Sequence, residues 1–176
     1  YGTPLHAFHQ DENSVTASFG ETQAKFDYLL GADGVRSPVR QGLGLPFDGF
    51  DIPGKWSIAD VETSQWPEPP VFRGYLIANG NVVIVAPMGP KRFRVISSTD
   101  DALASLPVPM HVEKLRRSGA FTISVRQTPQ YGKGRVYLAG DAAHCHSPAG
   151  GRGMNLGIAD AADFAERLTT DMLAEY

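Results

Sequence analysis

Cysteine is nearly missing from this 176-residue chain. The single Cys145 cannot close an internal disulfide, so nothing argues for secretion, and a reducing cytoplasm is the default setting. Long apolar runs are missing too. Stretches such as 82–87 fall far short of the roughly 18 residues that a membrane-spanning helix needs. The N-terminus lacks the charged-then-apolar order of a signal peptide. There is no surplus of one charge: 16 Lys+Arg stand against 19 Asp+Glu, a formal net charge of −3. With no block of like charge, a nucleic-acid-coating or polybasic membrane surface is excluded, and small molecules or proteins are the expected partners. Internal repeats and low-complexity tracts are absent, and the missing initiator Met points to a processed or excised chain. What is present, 42% hydrophobic and 20% charged residues, is the composition of an ordinary globular domain or parts of two.

Strand-period alternation opens the pattern. Val15, Ala17 and Phe19 alternate with Thr16 and Ser18, and Ala24, Phe26 and Tyr28 alternate with Lys25 and Asp27 before an apolar end at Leu29 and Leu30. That second strand is expected to enter a core. Ser37 then offers an N-cap and Pro38 the favoured first position of a short helix ending near Gly42 or Gly44. From 55 to 130 the texture is β-like. Residues 75–78 and 82–87 flank Asn79-Gly80-Asn81, a strong hairpin signal, and the alternation around Phe93 and Val95 adds a third strand. The stretch 101–119 is ambiguous, with two helical turns conceivable over 111–117. A strand is expected through Phe121, Ile123 and Val125, a turn at 132–134 and a buried strand over 136–139. The segment from 150 onward has helical period: Met154, Ile158, Ala161, Ala165, Leu168 and Met172 share one face, while Gly153, Gly157 and Ala161 form a small-residue stripe open to a close backbone neighbour.

Two constellations carry chemistry. The first is Gly31-Ala32-Asp33-Gly34, with Ser37 and Arg40 following. A strand end, glycines and a capped helix start bring backbone N–H groups and a carboxylate to the kind of crevice where nucleotides sit in α/β folds. On those residues alone, a plain turn with a surface arginine is the competing reading. In the second, a buried strand delivers Gly140-Asp141-Ala142-Ala143-His144. The run Ser147-Pro148-Ala149-Gly150-Gly151-Arg152-Gly153-Met154-Asn155 then opens the long helix. The unpaired N–H groups and positive dipole end there favour negative charge on a ligand, such as that of a reduced flavin.

Asp33-Gly34 with Ser37 and Arg40 resembles the Asp-Gly motif, and Gly140-Asp141 through Asn155 the Gly-Asp motif, of class A FAD-dependent aromatic-ring hydroxylases of the para-hydroxybenzoate and 2-polyprenyl-6-methoxyphenol hydroxylase type. The resemblance covers roughly 13–170. It implies an α/β (α+β) fold: a partial glutathione-reductase-like FAD-binding part, 1–50 and 131–176, around a substrate domain, 51–130, with a mostly antiparallel sheet. It implies that Asp141 binds the ribityl chain, that Pro148 packs beside the isoalloxazine, and that the backbone of Gly151 to Asn155, with Gly140 and Gly150 in the same motif, faces its N1–C2=O edge. Asp33, Gly34, Ser37 and Arg40 would organise the pyrophosphate and the nicotinamide encounter. The implied reaction uses NAD(P)H to reduce FAD, forms a flavin C4a-hydroperoxide with O2, and hydroxylates an aromatic or phenolic ring. A homodimer is compatible with this.

Two departures accompany the match. No Gly-x-Gly-x-x-Gly with a following ribose-binding acid exists in the chain, so the AMP half of the FAD site is absent and the chain reads as an internal piece, inactive alone. Arg152 stands where relatives often carry an uncharged polar residue, and its charge is expected to favour a reduced flavin anion.

His144-Cys145-His146 invites a metal or thiol reading, but consecutive side chains diverge and no second ligand cluster exists, so no metal is expected and no catalytic base is identified. Trp56, Arg73 and Tyr75 are weak substrate-contact candidates, with ordinary sheet packing as their competing reading. The alternatives are a related flavoenzyme, either a halogenase or an isoprenoid reductase, and a non-catalytic aromatic-ligand-binding domain.

Overall fold

The structure is a computed structural model describing residues 2–148 and 151–176. The chain divides into two compact units, Tyr1–Phe50 with Ser124–Tyr176, and Asp51–Ile123. Among the described residues, the strands form one five-stranded and three three-stranded sheets.

The first unit begins with an antiparallel meander of β1 (Leu5–Gln10), β2 (Val15–Phe19) and β3 (Thr22–Phe26). The single strand expected from Ala24 to Leu30 is two. After β3 the chain breaks at Asp27-Tyr28 and enters β4 (Leu29–Gly31) in a different sheet. The continuous apolar end marks this change, because β4 is a parallel strand in a core. Ser37 and Pro38 start the helix α1 (Pro38–Gly42) as expected, with the Ser37 hydroxyl accepting from Arg40 N at 2.9 Å. Next comes β5 (Asp48–Asp51).

In the second unit, β6 (Trp56–Glu62), β7 (Arg73–Leu76), β8 (Val82–Gly89), β9 (Arg92–Ser97) and β10 (Lys114–Phe121) make an antiparallel sheet in the order β10-β6-β9-β8-β7. The β7–β8 hairpin turns at Asn79 and Gly80, both left-handed with φ of 62° and 73°. The helical turns conceived over 111–117 do not form. Lys114 to Arg117 instead lie in the edge strand β10, which is exposed along its whole length and held by pairing with β6. Ala59, Val61, Val83, Val85, Phe93 and Val95 form this unit's core, with Trp66, Leu106 and Met110 packed over it. Its ends meet, since Ile52 N donates to Ile123 O at 2.8 Å.

Asp60 and Arg94 face each other across β6 and β9, with Arg94 Nε and Nη2 donating to the two carboxylate oxygens at 2.7 and 2.9 Å. These hydrogen bonds, then the charges of Arg94, Arg117 and Arg92, hold the Asp60 carboxyl below its ordinary pKa. A depressed folded-state value means the ionised pair favours the fold above the ordinary aspartate range. That contribution is lost as the pH falls through the lower, folded value. Asp60→Asn is therefore expected to be less stable by about 1 kcal/mol at neutral pH. Urea midpoints taken across the acid range check this: the gap should close as acid protonates the wild-type carboxyl. A gap that persists unchanged in acid shows that the charge is not its source.

The chain returns to the first unit through β11 (Ser124–Gln127), β12 (Gly132–Lys133), β13 (Val136–Leu138) and β14 (His144–Cys145). The strand expected through Phe121, Ile123 and Val125 is also divided: Phe121 closes β10, and β11 pairs with β14 and β5. β13 lies parallel to β4, Tyr137 opposite Leu30. The closing helix α2 (Gly153–Thr170) buries Phe164 beside Tyr137 and Tyr176. Its packed face is not the apolar stripe that the period suggested. Met154 and Ile158 are 75% and 61% exposed, and Leu168 and Met172 are exposed as well. Of the expected small-residue stripe, Gly157 makes the close approach, meeting Gly140 so tightly that a Cβ on Gly157 would lie 3.3 Å from the Gly140 Cα, whereas Ala161 is exposed.

Candidate active site

The parallel pair β4–β13 brings the two motifs to one sheet edge. Gly31 and Leu138 are register partners, and Ala139 N donates to Gly31 O at 3.0 Å. The loops carrying Asp33 and Asp141 therefore leave adjacent strand ends, the position where open α/β sheets take ligands.

In the first motif, polar groups serve the helix start. Asp33 is an exposed residue whose Oδ2 accepts from Val39 N at 3.0 Å, and Ser37, fully buried, caps the same turn. Gly34 has φ of +84°, and its carbonyl accepts from Ser37 N. Arg40 is not a surface charge. It is 5% exposed, donates from Nη1 to Ala142 O at 2.7 Å and from Nη2 to Val35 O at 2.8 Å, and stacks over Phe47 with Cζ 3.7 Å from the ring centroid. Burial pulls its pKa down, yet a guanidinium stays charged at any physiological pH. It is the bracket joining the two motifs.

In the second motif, Gly140 turns left-handed at φ +58° and starts a 3-10 turn, Gly140–Ala142. Asp141 is exposed there, its carboxylate accepting no hydrogen bond from the described residues. Pro148, Gly151, Arg152, Met154 and Asn155 are exposed and Gly153 half-buried; Gly150 lies outside the described residues. Arg152 occupies the N-cap of α2 without a side-chain hydrogen bond to the first turn, so the amides of that turn are uncapped by it. Beside them the ring Nε2 of His146 is buried with no partner among the described residues.

Sequence reasoning missed one residue of this site. Asp160 of α2 accepts the Gly140 N–H at 2.7 Å on Oδ2, and the same oxygen lies 2.7 Å from His144 Nε2. The available signal was its place on the small-residue face, three residues after Gly157 and four before the buried Phe164. Cys145 is buried, and burial raises its thiol pKa, so it is a packing residue rather than a nucleophile.

The substrate trio is not brought together. Arg73 and Tyr75 are opposite Val85 and Val83, on the core face of the five-stranded sheet, whereas Trp56 is opposite Phe121 and alternates with the core residues of β6. Tyr75 donates to Glu68, and Arg73 Nε pairs with the same carboxylate at 3.1 Å without the alignment of a hydrogen bond.

Two cavities of the first unit lie beside this edge. A recess of about 490 Å³ is bounded by Phe50, Cys145, His146, Leu156 and Asp160, and a cleft of about 820 Å³ by Asp11, Tyr28, Tyr131, Arg135 and Tyr176. Among the described residues no group of three or more His, Cys, Asp or Glu could hold a metal, and no helix is long and apolar enough to cross a membrane.

A family model described as FAD binding domain matches residues 1–108 and 98–172. The chain belongs to that family. It is 34% identical over 183 residues to pentachlorophenol 4-monooxygenase of Sphingobium chlorophenolicum, covering 92% of this chain and 34% of that protein. OxyS anhydrotetracycline hydroxylase from Streptomyces rimosus superposes with a TM-score of 0.77 at 33% identity, over 91% of this chain and 36% of that one. The Diels-Alderase PyrE3 superposes with a TM-score of 0.80 at 29% identity, over 97% and 41%. This chain thus spans about a third of the length of the curated relatives it matches. The resemblance read from the two motifs holds at the level of family and fold: FAD-dependent aromatic-ring monooxygenases are its relatives, and the α+β architecture is theirs.

Proposed function

We propose that this chain holds the flavin half of FAD at the β4–β13 edge and belongs to an NAD(P)H-dependent monooxygenase that hydroxylates an aromatic or phenolic ring. One observation carries the reading: an exposed carboxylate, Asp141, stands at the end of a buried strand that is locked against a helix whose own first turn has no side-chain cap. A carboxylate accepts from hydroxyls such as those of a ribityl chain. Uncapped amides at a helix N-terminus donate to carbonyl or anionic oxygens such as those of a flavin pyrimidine. The donor set fits the group.

Bound FAD would supply the redox chemistry, taking two electrons from NAD(P)H so that one oxygen atom of O2 enters the ring and the other leaves as water. The chain's residues would bind and orient. Asp141 accepts from the ribityl hydroxyls, Gly151 to Asn155 present backbone to the pyrimidine edge, and Pro148 packs beside the ring system. Arg152 adds positive charge where the reduced ring becomes anionic. Asp33, Gly34, Ser37 and Arg40 act by holding the adjoining turn in place. The second unit, Asp51–Ile123, takes the substrate.

Removing the Asp141 carboxylate tests this. Asp141→Ala is expected to weaken FAD binding by tenfold or more, since hydrogen bonds to a charged acceptor contribute about 1.5–3 kcal/mol. Titration of flavin-stripped protein, followed by flavin fluorescence, measures it; an unchanged affinity would remove the reading. The likeness to PyrE3 favours a second reading, a flavoprotein that closes rings without net oxidation. Consumption of NAD(P)H and O2 in step with a phenol, by the FAD-loaded enzyme, decides between the two.

A further inference from the structure

Asp160 has no role in the chemistry above, yet one of its oxygens gathers more of the site than any other side-chain atom there. Oδ2 accepts the Gly140 N–H at 2.7 Å and meets His144 Nε2 at 2.7 Å. Gly140 and His144 are the two ends of the segment that carries Asp141 at its tip. The carboxylate is 16% exposed and the imidazole 14%, so water competes little for either contact.

Gly140 needs such a hold. At φ +58° it has no Cβ to restrict it, and a glycine released from its hydrogen bond regains freedom that would swing the next residue. Its Cα is pressed against Gly157, one turn before Asp160 on the same face of α2. The helix thus contributes a steric stop and a hydrogen-bond acceptor to one residue. From the other end, the His144 ring is fixed between Tyr131, stacked at 5.8 Å with 28° between planes, and His146, at 6.4 Å and 6°.

We propose that Asp160 is a positioning residue that clamps Gly140 and His144 onto one carboxylate oxygen and so fixes the direction of Asp141 toward the cofactor. This rests on the reading that Asp141 holds FAD. Asp160 itself touches no cofactor atom; it acts through Asp141, and His144 is its second anchor.

A double-mutant cycle on FAD affinity in the whole protein, stripped of flavin and titrated, separates this from ordinary structural bonding. Asp160→Ala is expected to weaken FAD about tenfold when Asp141 is present, and less than about twofold in an Asp141→Ala background. Asp160→Asn, which keeps an acceptor for the Gly140 N–H, should recover most of the affinity. If Asp160→Ala does not fold, His144→Phe takes its place in the cycle: it preserves the ring stack, removes the nitrogen, and should cost about threefold with the same dependence on Asp141. An equal loss in both backgrounds, or no loss in either, overturns the proposal while leaving the FAD reading intact. Asp141→Ala with undiminished FAD affinity overturns both.

Discussion

Replacing Arg40 with alanine is expected to destabilise the first unit by about 4 kcal/mol. The guanidinium is 5% exposed, and its two hydrogen bonds go to the backbone carbonyls of Ala142 and Val35 at 2.7 and 2.8 Å. Charge-assisted bonds of this kind contribute about 1.5–3 kcal/mol each, and truncation leaves both acceptors without that donor. The stack on Phe47, at 3.7 Å, adds roughly 1–2 kcal/mol where water is excluded. Arg40→Lys should recover part of the loss, because an ammonium cannot fork to two carbonyls or stack as a plane. Hydrogen exchange by peptide locates the effect. Protection should fall over α1 and over 136–143, and hold in β6, β8 and β9. A loss below about 1 kcal/mol would mean that Arg40 is the surface charge its sequence context allowed.

Gly49→Ala is the second large effect, expected at about 3 kcal/mol or more. Gly49 sits at φ +143°, and a Cβ there would lie 2.0 Å from Val125 O and 2.8 Å from Arg126 Cα. Both obstacles are backbone, so no rotamer change relieves them, and β5 must separate from β11. The disturbance would reach Arg126, whose Nη1 donates to Phe47 O at 3.3 Å, and through Phe47 the stack on Arg40. Gly44→Ala is the control. It has φ of +67° and open space around its Cβ position, so it should show only the left-handed penalty of about 1 kcal/mol. Urea midpoints of the two variants measure the difference; equal shifts would show that the Gly49 contact is readily relaxed.

What could be read from the sequence was local. Ser37 and Pro38 announce α1 because an N-cap bond spans three residues, and Asn79-Gly80 announces its hairpin because the turn needs two left-handed residues in a row. The Gly-Asp motif was readable as a strand end followed by a helix start. Arg40 was readable as a residue of the Asp-Gly motif but not as a buried brace, because its deciding partner, Ala142 O, lies 102 residues away. Asp160 was hidden for the same reason: its value comes from Gly140 and His144, which only the fold brings to it. α2 misled by its period, since the apolar stripe is conspicuous while the face that docks carries Gly157, Asp160 and Phe164. β10 misled because Lys114 to Arg117 fit a helix or a strand equally well until β6 supplies the pairing. Tyr75 and Arg73 suggested a ligand, yet Glu68, brought over the sheet, already engages both.

The hydrogen bond between Ile52 and Ile123 bears on the order of assembly. The parallel pairing of β4 with β13 must wait for a long stretch of intervening chain to be bridged, and loop-closure entropy opposes that step. Once the inserted unit has folded, its two ends are held 2.8 Å apart at that bond, and the long loop behaves as a short one. With its ends joined at that bond, the inserted unit shortens the loop that the β4–β13 pairing has to close and so lowers the entropic cost of that pairing.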